Sequence, residues 1–373
     1  MEVERDIAGF AIPFATGAFI AAYAGSHLHT GNSSCSVLAL AVTAALLIVL
    51  MHPSRRRIPV PYVWLTIAAA GISAGMFTGF NGALAALTAS PWKPSAALRF
   101  GEAMQTAIDT IPFREAGTNA LIKALLTGAR GSLDKDIVLA FRDSGASHIL
   151  ALSGLHLGII YGIVRYSLST IGNTRKAIYA RYAATILLCG FYTLATGAGP
   201  SIVRAFLFIL LNETARITHR HHTTGSILFA ALIIQTVISP RSVMSAGFQL
   251  SYAAMAGIAF IYPAMRRFWP SVEDSRRGIG AKADILKRIW ESAAMSISCQ
   301  ITTGPLAYLY FRSLPLNFLL TNLIALPLTG ALIPAALITL ALHCTGLCPS
   351  AAIRLTEWLA QTLIYSLEII ATM

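Results

Sequence analysis

Apolar runs of about twenty residues recur along most of this chain, and that feature restricts what it can fold into more than any other. A helix needs roughly 20 apolar residues to cross a bilayer core of about 30 Å, because each residue advances about 1.5 Å along the axis. Composition agrees: of 373 residues, 55% are hydrophobic and 12% charged, with a mean hydropathy of +0.66, far from an ordinary soluble domain. The expectation is an all-α, polytopic integral membrane protein with about eleven transmembrane helices, some of them broken. The spans are expected near residues 7–25, 36–51, 60–80, 148–171, 178–199, 201–217, 223–239, 243–262, 290–311, 316–342 and 352–372. The first follows "MEVERD" with no basic leader and no small-residue cleavage site, so it is expected to be retained.

The net charge is +12, from 28 Lys and Arg against 16 Asp and Glu, and its placement orients the spans. Basic residues cluster after the second span (Arg55, Arg56, Arg57), the fourth (Arg175, Lys176, Arg181) and the sixth (Arg216, Arg220). The richest loop follows the eighth, with Arg266, Arg267, Arg276, Arg277, Lys282, Lys287 and Arg288. Alternating spans put all four loops on one side, which the positive-inside rule makes cytoplasmic together with the N-terminus. Residues 81–147 then form an extracytoplasmic insertion between helices at 1–80 and a membrane domain at 148–373. In that insertion Phe100, Met104, Ile108 and Ile111 return at helical spacing, as do Leu121, Ile122, Leu125 and Leu126. Short amphipathic helices are expected there, lying along the surface, capping a vestibule or simply packed as a cap.

The densest polar cluster at membrane depth is "HILALSGLHLGIIYG", His148 to Gly162. Gly154, Gly158 and Gly162 recur every four residues, a stripe that would let another helix approach closely. Ser153 and His156 lie three apart and share a neighbouring face, where an imidazole is costly unless it meets a partner or a wet cavity. A hydrolytic pair is a poor reading of them, because no acid nearby in sequence orients the imidazole. "GISAG" at Gly71 to Gly75 matches a nucleophile elbow but lies within an apolar helix, so helix packing explains it better. Further polar groups recur inside spans: Arg204 one turn into a helix that Pro200 starts, Gln249 and Ser251, Gln300, and Asn317 and Asn322 ahead of Pro327. Such groups hydrogen-bond between helices or line a wet route, and interrupting prolines are tolerated where helices border a cavity. The five cysteines are scattered through apolar stretches, and the histidines of "THRHH" lack spaced carboxylate or thiolate partners. No disulfide framework, metal, cofactor or catalytic residue is expected.

Four stretches in this order, "FRDSGASHILALSGLHLGII", "GAGPSIVRAFLF", "MSAGFQLSYAAMAGI" and "LPLNFLLTNLIALP", make roughly Leu121 to Pro334 similar to the ComEC-type competence proteins. The resemblance implies a bacterial inner-membrane channel passing single-stranded transforming DNA into the cytoplasm, without catalysis. It implies a passage wall drawn from Ser153, His156, Arg204, Gln249, Ser251, Gln300, Asn317 and Asn322, with Arg204 attracting phosphates near the outer mouth. Unspecific single-strand binding uses positive charge and aromatic faces, which the cytoplasmic loop from Arg266 to Arg288 offers through its basic residues, Phe268 and Trp269. Family members often carry an OB-like domain ahead of this region and a metallo-β-lactamase-like domain after it. Here predicted helices occupy the first position, and "HLH" at His27 to His29 has no following acid to make H-x-H-x-D-H. Membrane lipid and separate delivery, nuclease and cytoplasmic motor or single-strand-binding proteins are the implied partners. The alternative is a secondary transporter for a smaller solute, which also uses broken helices and intramembrane amides. Such a protein should show internal repeats, none of which is convincing here, and the one acid clearly inside a span is Glu213.

Overall fold

The computed structural model describes residues 2–27, 38–39, 41–44, 46, 60–80, 95–172, 174–218, 223–268, 280–312 and 317–372. Among them the chain is all-helical, with no strand. The first helices are α1 (Glu2–His27), α2 (Val60–Phe80), α3 (Ser95–Asp109), α4 (Ala116–Thr127) and α5 (Lys135–Asp143). Then come α6 (Ser147–Leu150), α7 (Gly154–Leu168), α8 (Arg175–Ala195), α9 (Pro200–Ile217) and α10 (Thr224–Ile238). After a 3₁₀ turn at Pro240–Met244, α11 (Ala246–Ala256) passes through a π turn at Gly257–Ile261 into α12 (Tyr262–Arg266). The last are α13 (Gly280–Phe311), α14 (Phe318–Cys344) and α15 (Ser350–Ala371).

Among the described residues three stretches are long and apolar enough to cross a membrane by length and composition: Arg175–Ala195, Ala246–Arg266 and Phe318–Cys344. Shorter apolar helices run over Ile7–Tyr23, Leu65–Thr78 and Thr224–Ile238. The expected span at 36–51 falls largely outside the described residues. The span expected at 148–171 is not one helix: α6 ends at Leu150 and α7 begins at Gly154. Ser153 as a helix cap interrupts it, which apolar periodicity does not register.

The chain forms two compact units, Met1–Trp92 with Thr214–Ala259, and Lys93–Glu213 with Phe260–Met373. In the first unit, α1 and α2 lie against each other through glycines. A Cβ on Gly75 would stand 1.9 Å from the Phe14 carbonyl oxygen, one on Gly71 2.6 Å from that of Phe10, and one on Gly17 2.0 Å from that of Ile72. Real side chains do not come that close, so "GISAG" is a packing surface, with Ser73 accepting a 2.8 Å hydrogen bond from Thr43.

In the second unit the helices of the polar insertion are part of the core. Leu121 and Leu125 of α4 and Phe141 of α5 are fully buried together with Leu332 of α14 and Leu363 and Leu367 of α15. A second cluster joins Ile108, Ile122 and Leu126 of the insertion to Leu157 and Ile160 of α7, Ile202 of α9, and Ile333, Ala336 and Leu340 of α14. The amphipathic faces that the sequence shows thus bury against helices far along the chain and do not lie on a lipid surface. Side-chain bonds fasten the same contacts: Thr321 donates to the Ser144 carbonyl at 2.6 Å, Gln361 to the Thr118 hydroxyl at 2.9 Å, and Tyr192 to the Leu126 carbonyl at 2.7 Å.

Gly75→Val is expected to force α1 and α2 apart at a cost of about 1–3 kcal/mol. Gly158→Ala, where a Cβ meets nothing within 4 Å among the described residues, is expected to cost nothing and to stabilise α7 by up to about 1 kcal/mol through helix propensity. Thermal unfolding of the detergent-purified variants checks both, and equal loss in the two would refute this account of the contact.

Candidate functional site

The break between α6 and α7 explains the crowding of serine, glycine and histidine in "LSGLH". Ala151 is extended (φ −74°, ψ 127°), as is Ser153 (φ −117°, ψ 172°), so the chain turns there before α7 starts. The first amides of a helix lack partners within it, and an apolar setting makes them expensive to leave bare. Ser153 Oγ accepts the Leu155 N–H at 3.2 Å, and His156 Nδ1 accepts the Ser153 N–H at 3.3 Å. Ser153 Oγ also lies 3.1 Å from the same Nδ1. Together these make a capping box in which the imidazole takes the place usually held by Glu or Gln, without bringing a charge.

Because Nδ1 accepts a backbone N–H, the neutral imidazole carries its proton on Nε2. His156 is fully buried, and Nε2 has no hydrogen-bond partner among the described residues. Leu152, inside the break, packs on Gly128, the left-handed residue (φ 78°) that ends α4; a Cβ there would stand 2.5 Å from Leu152 Cδ1. On the other side, a Cβ on Gly154 would meet Ala205 Cβ at 3.5 Å. The cap therefore stands beside α9 one residue past Arg204, which is 3% exposed and so lies inside the unit, not on its surface.

The other residues singled out in the sequence are dispersed. Asn317 precedes α14 and donates to the Ile370 carbonyl at 3.2 Å, tying the start of that helix to the end of α15. Asn322 lies on the first turns of α14, with a buried Oδ1 that has no hydrogen-bond partner among the described residues. Gln300 is half-buried on α13. Gln249 and Ser251 belong to α11 in the first unit, where Gln249 donates to the Val243 carbonyl at 3.0 Å. Of the basic loop, Arg276 and Arg277 lie outside the described residues; Arg266 is paired with Glu291 at 3.0 Å, Arg267 and Arg288 are exposed, and Lys287 is half-buried.

The close helix approach expected at Gly154, Gly158 and Gly162 is not found among the described residues. Gly154 has only the ordinary contact with Ala205, and a Cβ on Gly158 or Gly162 meets nothing within 4 Å. The glycine spacing is the same as in "GISAG", but on α7 it marks an exposed face. What sequence reading missed is a network one turn further on. Tyr161 donates to Glu213 on α9, Arg165 donates to the Tyr161 hydroxyl at 2.8 Å, and Arg165 pairs with Glu213 at 3.5 Å. The i, i+4 spacing of Tyr161 and Arg165, together with an acid in an otherwise apolar stretch, was its visible signal. Among the described residues no group of three or more His, Cys, Asp or Glu side chains comes together as a metal site, and Cys189, Cys299, Cys344 and Cys348 form no disulfide.

A helical membrane-type protein with a broken helix and a buried imidazole and guanidinium is the class these observations define. Residues 125–373 match the sequence profile described as Competence protein, and the chain belongs to that family. ComE operon protein 3 of Bacillus subtilis is 30% identical over 139 residues, 36% of this chain and 17% of that protein. Competence protein ComA of Neisseria gonorrhoeae is 25% identical over 224 residues, 58% and 30% of the two chains. Uncharacterized protein YcaI of Escherichia coli is 24% identical over 267 residues, 70% and 33%. The chain thus spans a third or less of the length of these curated relatives. No solved structure matches it.

Ser153→Ala is expected to cost about 0.5–2 kcal/mol by removing the cap, while Ser153→Thr, which keeps the acceptor oxygen, is expected to cost much less. Melting temperatures in detergent check this, and an Ala variant as stable as the parent would remove Ser153 from the cap.

Proposed function

We propose that the chain forms a passage for single-stranded DNA in the inner membrane during natural competence. The observation that carries this reading is the coincidence of the family match, residues 125–373, with the part of the chain that holds the capped break, His156 and Arg204. A strand of DNA is a polyanion with hydrogen-bonding bases, and its route through lipid needs positive charge and polar groups that apolar helices do not supply. The family description and one relative, Competence protein ComA, carry competence in their printed names, which supports the same biological setting.

On this proposal the chain crosses the membrane about eleven times with its N-terminus in the cytoplasm, and Ser153, His156, Arg204, Gln249, Ser251, Gln300, Asn317 and Asn322 border or stabilise the route. The basic residues Arg266, Arg267, Arg276, Arg277, Lys287 and Arg288 meet the strand or anionic lipid on the cytoplasmic side. The protein does no chemistry on the strand; delivery, degradation of the second strand and pulling belong to separate proteins. Glu213, the acid that a coupled solute transporter would use, is engaged with Tyr161 and Arg165, which favours the DNA reading over transport of a smaller solute.

Uptake of labelled DNA into the cytoplasm tests the proposal in cells carrying the parent gene, a deletion, or Arg204→Ala, with membrane abundance followed by immunoblot. The deletion is expected to abolish uptake and Arg204→Ala to reduce it at normal abundance. Undiminished uptake in the deletion strain would overturn the reading and leave solute transport.

A further inference from the structure

Three buried polar atoms in the second unit have no hydrogen-bond partner among the described residues: His156 Nε2 on α7, and Asn322 Oδ1 and Thr329 Oγ1 on α14. Leaving one such atom bare costs roughly 1–3 kcal/mol, so three together need an explanation. Their placement supplies one. Helices α7 and α14 pack against each other, and Ile333, Ala336 and Leu340 of α14 share a core with Leu157 and Ile160 of α7. At about 100° per residue, Asn322 and Thr329 fall on the same stripe of α14 as those three residues. The neighbouring stripe, with Ala325 and Leu332, faces the other cluster, with Phe141 and Leu363. On α7, His156 precedes Leu157 and stands one turn before Ile160. The seam is therefore apolar along one part and polar along the next.

The backbone of α14 reinforces the polarity. Pro327 lies between Asn322 and Thr329 and has no N–H, so the carbonyl four residues before it, on Leu323, loses its usual helical partner. Thr329 is fully buried, yet its hydroxyl does not bond back to the preceding turn, as Thr302, Thr303 and Thr362 do elsewhere in the chain. Thr329 thus keeps its hydroxyl available where those three threonines spend theirs locally.

We infer that the α7–α14 seam along His156, Asn322 and Thr329 is a hydrated strip that binds uncharged hydrogen-bonding groups, with Asn322 and Thr329 two turns, about 10 Å, apart along α14. The imidazole Nε2–H is a donor to such groups, the amide oxygen an acceptor, and the hydroxyl either. Water has this chemistry, and so does the edge of an unpaired nucleobase. Hydration stands on the geometry alone; occupation by a nucleobase rests on the passage proposed above. The site has no fixed charge of its own among these three side chains, so it selects for hydrogen bonding and not for phosphate.

The test is cysteine accessibility in native membranes, with the full chain and its five cysteines replaced by serine or alanine. Asn322→Cys and Thr329→Cys are expected to react with a small membrane-impermeant thiosulfonate, and Ile333→Cys and Ala336→Cys to stay unreactive. Reaction at none of the four, or equal reaction at all four, would overturn the hydrated site. As a check independent of cysteine folding, Thr329→Val is expected to lower the melting temperature, because valine removes a hydrated hydroxyl; a raised melting temperature would show the hydroxyl dry and overturn the inference. Added oligothymidylate distinguishes the occupants. Slower labelling at Asn322→Cys and Thr329→Cys supports the nucleobase, whereas unchanged labelling overturns that occupant and leaves water in a site that still stands.

Discussion

The geometry of the second unit depends on how the backbone is satisfied where the helix breaks at Ala151–Ser153. A helix start in apolar surroundings leaves amides that must bond to something, and here the bonding comes from two side chains three residues apart. Ser153 supplies an oxygen and His156 a ring nitrogen, and the choice of histidine over a carboxylate keeps the cap neutral. That cap directs α7 along α14 and sets its first turn beside α9, next to buried Arg204. One local device therefore decides where an imidazole and a guanidinium, both costly at depth, come to rest.

The polar insertion has a different place from the one its composition suggests. Its Lys123, mostly buried, is bonded to exposed Asp109 at 2.7 Å, while its leucines and isoleucines complete two cores that α14 shares. Residues 95–143 are thus the wedge that holds α14 and α15 in position. Glu357 of α15 repays this by accepting the Arg114 and Glu115 N–H groups, at 2.7 and 3.0 Å, at the start of α4. Two kinds of polar group follow from this packing: those that fasten helices, such as Thr321 and Asn317, and those left facing a seam, such as Asn322 and Thr329.

The contrast between glycine stripes is instructive. "GISAG" and the Gly154–Gly162 series have the same four-residue spacing, yet the first brings α1 and α2 into backbone contact, whereas in the second only Gly154 meets a neighbour, Ala205, among the described residues. Spacing states which residues share a face, and a face is close-packed only if another helix arrives there.

By itself the sequence determined the helical class, because backbone groups in a largely apolar chain must bond within each segment. It also marked the family-bearing stretches and the residues in them, since residue type at membrane depth carries a cost that chemistry has to justify. Amphipathic periodicity located α3 and α4 and their buried faces. Only the tertiary structure decided that these faces pack on α7, α14 and α15, that Ser153 and His156 cap a break, and that Glu213 meets Tyr161 and Arg165. The reason is physical: periodicity and polarity are local quantities, whereas a partner for a buried face or a lone acid comes from a helix 50 to 200 positions away, as Tyr161 with Glu213 and Thr321 with Ser144 show at separations of 52 and 177.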